Sequence, residues 1–440
     1  MELPPWLSSL SVPVLSAAVG GVIALLFLAD YLRRKRAEVA TISHLSTPPD
    51  PKPSAPSSKQ APPKKASQRS HLHHHSDKDA NKKHHQLDLN TLKGHTDSVT
   101  ALCFSSDSHN LATVCADGAI RVFRIDDTSS KSFKSLRINM HAGVHPTGIV
   151  FSDGASHVVV VGQALMGCSL YSYGDVSGKP VQGKPSLPEI HWEHQKIHGR
   201  ESVLNLTSAI ASYGSADGST IVASCSEESE IKVWDGKTGK LLGAVETNQL
   251  KNNMAAISPN GRFLAAAAFT ADVKVWEIVY SKDKSVKEVI KVMQLKGHKS
   301  AVTSLCFMPN SEQILTASKD GTIRIWNINV RYHLDEDPKT LKVFTIPLHD
   351  AKGVTCQYDH MSISPDGKIL AVTSGSTLQW LCVETGSVLD TAERAHEGDI
   401  TGIAWAPQSI PNGGVPSTIL ATAGDDRKVK LWLAPSVNAL

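Results

Sequence analysis

The chain has 440 residues, 41% hydrophobic and 20% charged, enough apolar material to bury a large core and too much for a chain disordered throughout. The formal charge of +3 is unevenly placed: residues 1–86 carry twelve Lys/Arg against six Asp/Glu, a net +6, and the other 354 carry 33 against 36, a net −3. A slightly acidic body offers no electrostatic reason to bind nucleic acid, and seven scattered cysteines without a C-x-x-C pair argue against a disulfide framework or a structural zinc site.

From Leu3 to Ala29 there is no charged residue, and the dense apolar run Val14–Leu28 is followed by Asp30, Tyr31 and Arg33-Arg34-Lys35-Arg36. Such a stretch can cross the ~30 Å hydrocarbon layer as a helix of ~20 residues, with Trp6 and Tyr31 where interfacial aromatics sit. A cleaved secretory signal needs basic residues ahead of its apolar run, and here only Glu2 precedes it. Residues 1–36 are therefore read as an uncleaved single-pass anchor, with a signal peptide or a peripheral tail as the competing readings. Because Lys and Arg stay on the cytosolic side, the amino terminus is expected in the lumen and everything after residue 36 in the cytosol. The sequon Asn205-Leu206-Thr207 would be silent in the cytosol and open to glycosylation in the lumen.

Residues 37–86 are rich in Pro, Ser, Lys and His and too poor in apolar residues to offset the entropy of ordering, which predicts a disordered linker with an end-to-end distance of ~40 Å. The histidines at 71, 73, 74, 75, 84 and 85 are read as a solvated tract, and no metal or cofactor is expected.

The remainder, 87–440, is repetitive. Residues 92–125 (LKGHTDSVTALCFSSDSHNLATVCADGAIRVFRI) align without a gap on 295–328 (LKGHKSAVTSLCFMPNSEQILTASKDGTIRIWNI). His95 to Phe123 and His298 to Trp326 are both 28 residues apart, and His95 to Asp117 and His298 to Asp320 both 22. Each copy holds three alternating apolar runs broken by turn residues, the pattern of short antiparallel strands. Weaker copies occupy 137–175, 195–242 with Trp234-Asp235, 248–278 with Trp276, 349–390 with Trp380, and 395–433 with Trp432, which brings the count to seven. The last copy is eight residues longer between His396 and Trp432, and the excess falls in the turn-rich QSIPNGGVPS.

Motif residues, spacing and copy number together resemble the WD40 family. The resemblance implies an all-β, seven-bladed β-propeller in which the alternating strip Leu87–Leu92 supplies the strand that the last repeat lacks. It also gives a meaning to a recurring trio, His95, Thr113 and Asp117; His298, Thr316 and Asp320; His396, Thr422 and Asp426, with Thr and Asp ten and six residues before Phe123, Trp326 and Trp432. In that family Asp holds the imidazole, Thr relays it and the Trp indole closes a buried structural chain. Three copies in three blades point away from a single active site. Phe123 lacks an indole, Thr270 stands where Asp would precede Trp276, and blades 2 and 6 have neither partner in register, which predicts less rigid blades there.

No nucleophile elbow, phosphate loop, zinc-protease helix or EF-hand loop is present, so the chain is read as a non-enzyme with no small-molecule substrate. The order of anchor, basic flank, linker and propeller resembles a membrane-anchored WD40 protein of the endoplasmic reticulum. That resemblance implies a scaffold for other proteins on the cytosolic face of that membrane, near its stress-sensing machinery. A guanine-nucleotide exchange factor for a small GTPase and a ubiquitin-ligase substrate receptor are the alternatives, although no repeat has the W-D-x-R arginine of the latter. By family analogy the residues just before the motif aspartate, Ala116, Lys319 and Asp425, lie on the binding rim, and Lys319 and Asp425 are the favoured contacts.

Overall fold

In the computed structural model the described residues are 85–437, apart from 153–155, 177–187, 199–201, 212–218, 283–284 and 351. The expected anchor within 3–29 and linker residues 37–84 lie outside them. Among the described residues no helix is long and apolar enough to cross a membrane.

Alternating apolar runs separated by turn residues become strands, four to a sheet, each antiparallel to the next. Blade 1 consists of Val99–Phe104, Asn110–Cys115, Ala119–Arg124 and Ser135–Asn139, referred to as strands a to d from the ring axis outward. Asp117-Gly118 makes the turn between strands b and c, and blade 5 uses Asp320-Gly321 in the same way. Both glycines adopt positive φ, +78° and +79°, which a Cβ would oppose. Blades 2 to 6 repeat the plan, starting at His145, Val203, Asn252, Val302 and His360.

The seventh sheet closes the ring. Its strands a to c are Ile400–Trp405, Ile419–Gly424 and Val429–Leu433, and its outer strand is Asp88–Leu92 from the other end of the chain, with Leu92 opposite Val429 and Asp88 opposite Trp432. Lys430 Nζ holds the nearly buried Asp88 carboxylate at 2.9 Å across this seam. His85 and Gln86, at the end of the expected linker, are among the described residues. His85, at the end of the histidine tract, stacks on Trp380 with ring centroids 6.0 Å apart.

A four-stranded sheet has two apolar faces and cannot cover both alone; packing sheets around an axis covers them all. The core accordingly divides into seven apolar clusters, one for each blade interface. Between blades 1 and 2, for example, Val114, Ile120 and Val122 meet Ile149, Phe151 and Val160. Polar side chains of the inner strands add a second layer of stitching. Thr100 Oγ1 donates to Pro146 O at 2.7 Å, and Thr401 Oγ1 donates to Val99 O. Asn205 bonds the Ala255 backbone twice, with Nδ2 donating to O at 2.7 Å and Oδ1 accepting from N at 3.0 Å. In the folded ring the Asn205 amide is thus committed to the neighbouring blade.

All seven cysteines are free thiols. Burial pushes the Cys225 and Cys306 thiols up to about 12, which keeps them protonated and unreactive.

The turn-rich insertion in blade 7 forms a small hairpin, Ile410–Asn412 with Val415–Ser417, that reaches over blade 1. Thr128 N donates to Pro411 O at 2.9 Å, Gly413 N to Asp127 Oδ1 at 3.1 Å, and Gln408 N to Ser108 Oγ at 2.7 Å. Ile410 is buried in the cluster shared by blades 7 and 1.

Candidate functional site

Because strands run antiparallel, the b–c turns and the links from strand d to the next strand a all fall at one end of the ring. The recurring His, Thr and Asp residues meet at this end. In blade 5, His298 Nδ1 lies 2.9 Å from Asp320 Oδ2 and Nε2 lies 2.8 Å from Thr316 Oγ1, which also accepts from the Trp326 indole at 2.8 Å. The donor order follows. The indole N–H gives to Thr316, the Thr316 hydroxyl gives to Nε2, and Nδ1 must carry the hydrogen that faces the carboxylate. The imidazole is thus neutral, and desolvation lowers its pKa in spite of the nearby Asp320. Burial would raise the Asp320 carboxyl, but the Thr322 hydroxyl, the Lys299 amide and His298 bring it down to about 2. Pairing every polar atom in this way offsets the cost of burying them.

Blade 7 has the same arrangement: His396 to Asp426 at 2.9 Å and to Thr422 at 2.7 Å, with the Trp432 indole donating to Thr422 at 2.9 Å. Burial works against the Asp426 charge, yet His396, the Glu397 amide and Lys428 hold its carboxyl below the usual range.

Blade 1 corrects the expectation for its trio. His95 Nε2 does meet Thr113 Oγ1 at 2.9 Å, but Asp117 is taken by Arg121 at 2.8 Å and by the Thr96 hydroxyl at 2.6 Å. The buried His95 Nδ1 meets no hydrogen-bond partner among the described residues. Desolvation and the Arg121 charge lower the imidazole to about 4, against the opposing pull of Asp117.

Blade 3 contains a network that motif reading missed. His198 Nδ1 meets Glu230 Oε2 at 2.9 Å and Nε2 meets Ser224 Oγ at 2.8 Å, while the Trp234 indole donates to Ser224 at 3.0 Å. A signal was present: His198 precedes Trp234 by 36 residues, as His396 precedes Trp432, and Ser224 stands ten before it. Glu replaces Asp two residues later, and its longer side chain makes up the difference. In blade 4, Gln249 takes the imidazole's place and donates to Thr270 Oγ1 at 2.7 Å. Blade 6 substitutes a buried Tyr358 hydroxyl that donates to Gln379 Oε1 at 2.7 Å, and its Trp380 indole finds no acceptor among the described residues. In blade 2 the contact is apolar: Val144 and Met140 close on Gly162.

Each clasp fastens a b–c turn to a strand link, and the clasping groups are buried while the turn tips remain exposed. Lys319 is exposed, with its ammonium 5.5 Å from the Phe269 ring centroid. Asp425 accepts from the Ser98 hydroxyl across the seam, and the Ala116 amide donates to Ser98 O at 2.8 Å. The described residues hold no group of three or more His, Cys, Asp or Glu suited to a metal ion.

Comparison with known proteins agrees with this geometry. The WD domain, G-beta repeat family matches residues 87–124, 289–327 and 387–432. Each matched segment starts with the outer strand of one blade and ends in strand c of the next, so the sequence repeat and the folded blade are offset by one strand. The chain is similar to Transducin beta-like protein 2 of Homo sapiens, 29% identical over 79% of this chain and 72% of that protein, and to the Mus musculus protein of the same name, 28% identical over the same shares. It is also 25% identical to Periodic tryptophan protein 2 of Arabidopsis thaliana over 49% of this chain and 21% of that one.

Proposed function

From a chain of WD40 repeats closed into a seven-bladed ring, we propose that the protein is a membrane-tethered platform for protein–protein interaction, held on the cytosolic face of the endoplasmic reticulum and acting in stress signalling. Propellers of this kind serve as scaffolds for other proteins. The observation that carries the reading is the division of labour at the clasp end: in blades 3, 5 and 7 the histidines and carboxylates that could do chemistry are spent on one another, and the described turn tips face solvent on a rigid frame. The protein works as a non-enzyme. The tether rests on the charge-free stretch from Leu3 to Ala29 and its Arg33–Arg36 flank. The organelle and process rest on the resemblance in domain order.

Protease added to intact microsomes tests the arrangement. A C-terminal tag on the full-length protein should be digested without detergent. A protected tag would invert the topology and remove the cytosolic role. Proximity labelling from the propeller, with a control lacking residues 1–36, should then mark reticulum-associated proteins only when the anchor is present.

A further inference from the structure

The exposed apolar surface of the ring is not evenly spread. Among the described residues, seven large apolar side chains are more than half exposed, and five of them, Leu165, Met166, Leu250, Phe269 and Val354, sit in b–c turns or strand links at the clasp end. Isolated exposed apolar residues are ordinary; adjacent ones on a rigid frame are not.

Leu250 and Phe269 are adjacent. Phe269 N donates to Lys251 O at 2.8 Å, and beside this bond Gln249 ties the Leu250 link to Thr270, so the two loops form one unit. Leu250 is 81% exposed and Phe269 57%. The neighbouring blade brings Lys319 to the Phe269 ring, and Lys319 has no ion-pair partner among the described residues, whereas nearby Lys251 is paired with Glu227 at 2.9 Å. On its other side Lys319 helps to line a cleft of about 410 Å³ between blades 5 and 6, together with Ser318, Gly321, Thr355, Cys356, Gln357 and Ser374. An apolar step, an uncommitted cation and a polar cleft thus follow one another along the rim.

We propose that this strip binds an extended acidic peptide segment, with an aromatic or branched apolar side chain covering Phe269 and Leu250, an Asp or Glu carboxylate at Lys319, and its backbone continuing into the cleft. The inference rests on the reading of the ring as an interaction platform and specifies where and with what chemistry it engages. Charge decides the occupant: a carboxylate completes Lys319, and covering Phe269 strengthens the cation–π contact by removing water from it. A bilayer would need a uniformly cationic face, and this end is mixed: Lys251, Lys299 and Lys352 are exposed near the strip, but so are the acids Glu228, Glu393, Asp399 and Asp425.

The test is selection of random twelve-residue peptides displayed against the full-length protein in detergent micelles, with binding measured for synthetic copies of the selected peptides. Acidic residues next to Leu, Phe or Trp should be enriched. Leu250→Ser with Phe269→Ser should weaken binding about tenfold or more, Lys319→Arg should retain it, and Lys319→Glu should shift the selection toward basic peptides. Unchanged thermal melting confirms that these exposed substitutions leave the ring folded. Peptides without acidic bias, binding indifferent to all three sites, or preferential capture of anionic vesicles by the same face would each overturn the proposal. Proximity labelling with the same variants separates this failure from that of the platform reading: an unaltered set of labelled partners removes only this strip, and no partners for the wild-type ring removes the platform.

Discussion

The Arg121 guanidinium lies 2.8 Å from the Asp117 carboxylate, with the two side chains 4% and 12% exposed, and takes the acid that an imidazole holds in blades 5 and 7. The first blade is therefore fastened by an ion pair, and His95 is left as a neutral, half-satisfied group.

Asp117→Ala strands a buried guanidinium and should destabilise the ring by about 1–3 kcal/mol. Adding Arg121→Leu, which removes the unpaired charge, should recover most of that loss. Urea unfolding of the single and double variants measures both.

Thr316 serves two partners, accepting from the Trp326 indole and donating to His298. Thr316→Val keeps the shape and orphans both, and about 2–4 kcal/mol should be lost. Ser224→Ala in blade 3 should behave similarly, because Ser224 occupies the same junction between Trp234 and His198. Equal denaturation midpoints for Ser224→Ala and wild type would show that the blade 3 network contributes nothing.

The buried His95 predicts a pH dependence. Its folded pKa is about 4 against 6.5 for the ordinary group, so between these values the unfolded chain binds the extra proton. Its contribution is fully present above pH 6.5 and is lost as pH falls toward 4, on the order of 3 kcal/mol for this group. Desolvation lowers His198, His298 and His360 as well, which adds to the same slope. Denaturation midpoints at pH 7.5 and pH 5 should differ in that direction, and His95→Gln should flatten the difference.

The seam between the first and last blades has two fasteners. Removing residues 85–92 leaves the Val429–Leu433 edge unpaired and should produce aggregation. Replacing Ile410–Ser417 by a short Gly-Ser turn removes Ile410 from the core and the bonds from Pro411, Asn412 and Gly413 to the Asp127–Thr128 loop, at a cost of about 2–4 kcal/mol. Hydrogen exchange should then speed up in the loop at 126–130 and in the Asp88–Leu92 strand, with blade 4 amides unaffected. Uniform exchange changes around the ring would argue against a local latch.

Repeat number and strand positions were readable because they depend on local periodicity: alternating apolarity predicts strands and Asp-Gly predicts turns, while closure of the ring by the strip at Leu87–Leu92 was an implication of the family resemblance. The hairpin in QSIPNGGVPS was visible as excess length, but nothing local says that it reaches blade 1, some 280 residues away in the chain.

The sequence by itself determined that seven repeats of short antiparallel strands form, since each apolar face must be covered whatever the details of its neighbours; how they close came from the family resemblance. In blades 1, 3 and 4 only the tertiary structure decided which partner each buried polar group takes, whereas blades 5 and 7 follow the expected trio. A hydrogen bond depends on tenths of an ångström and on side-chain reach, so Arg121 captures Asp117, Glu230 reaches His198 from a shifted position, and Gln249 stands in for an imidazole, outcomes that spacing along the chain does not contain.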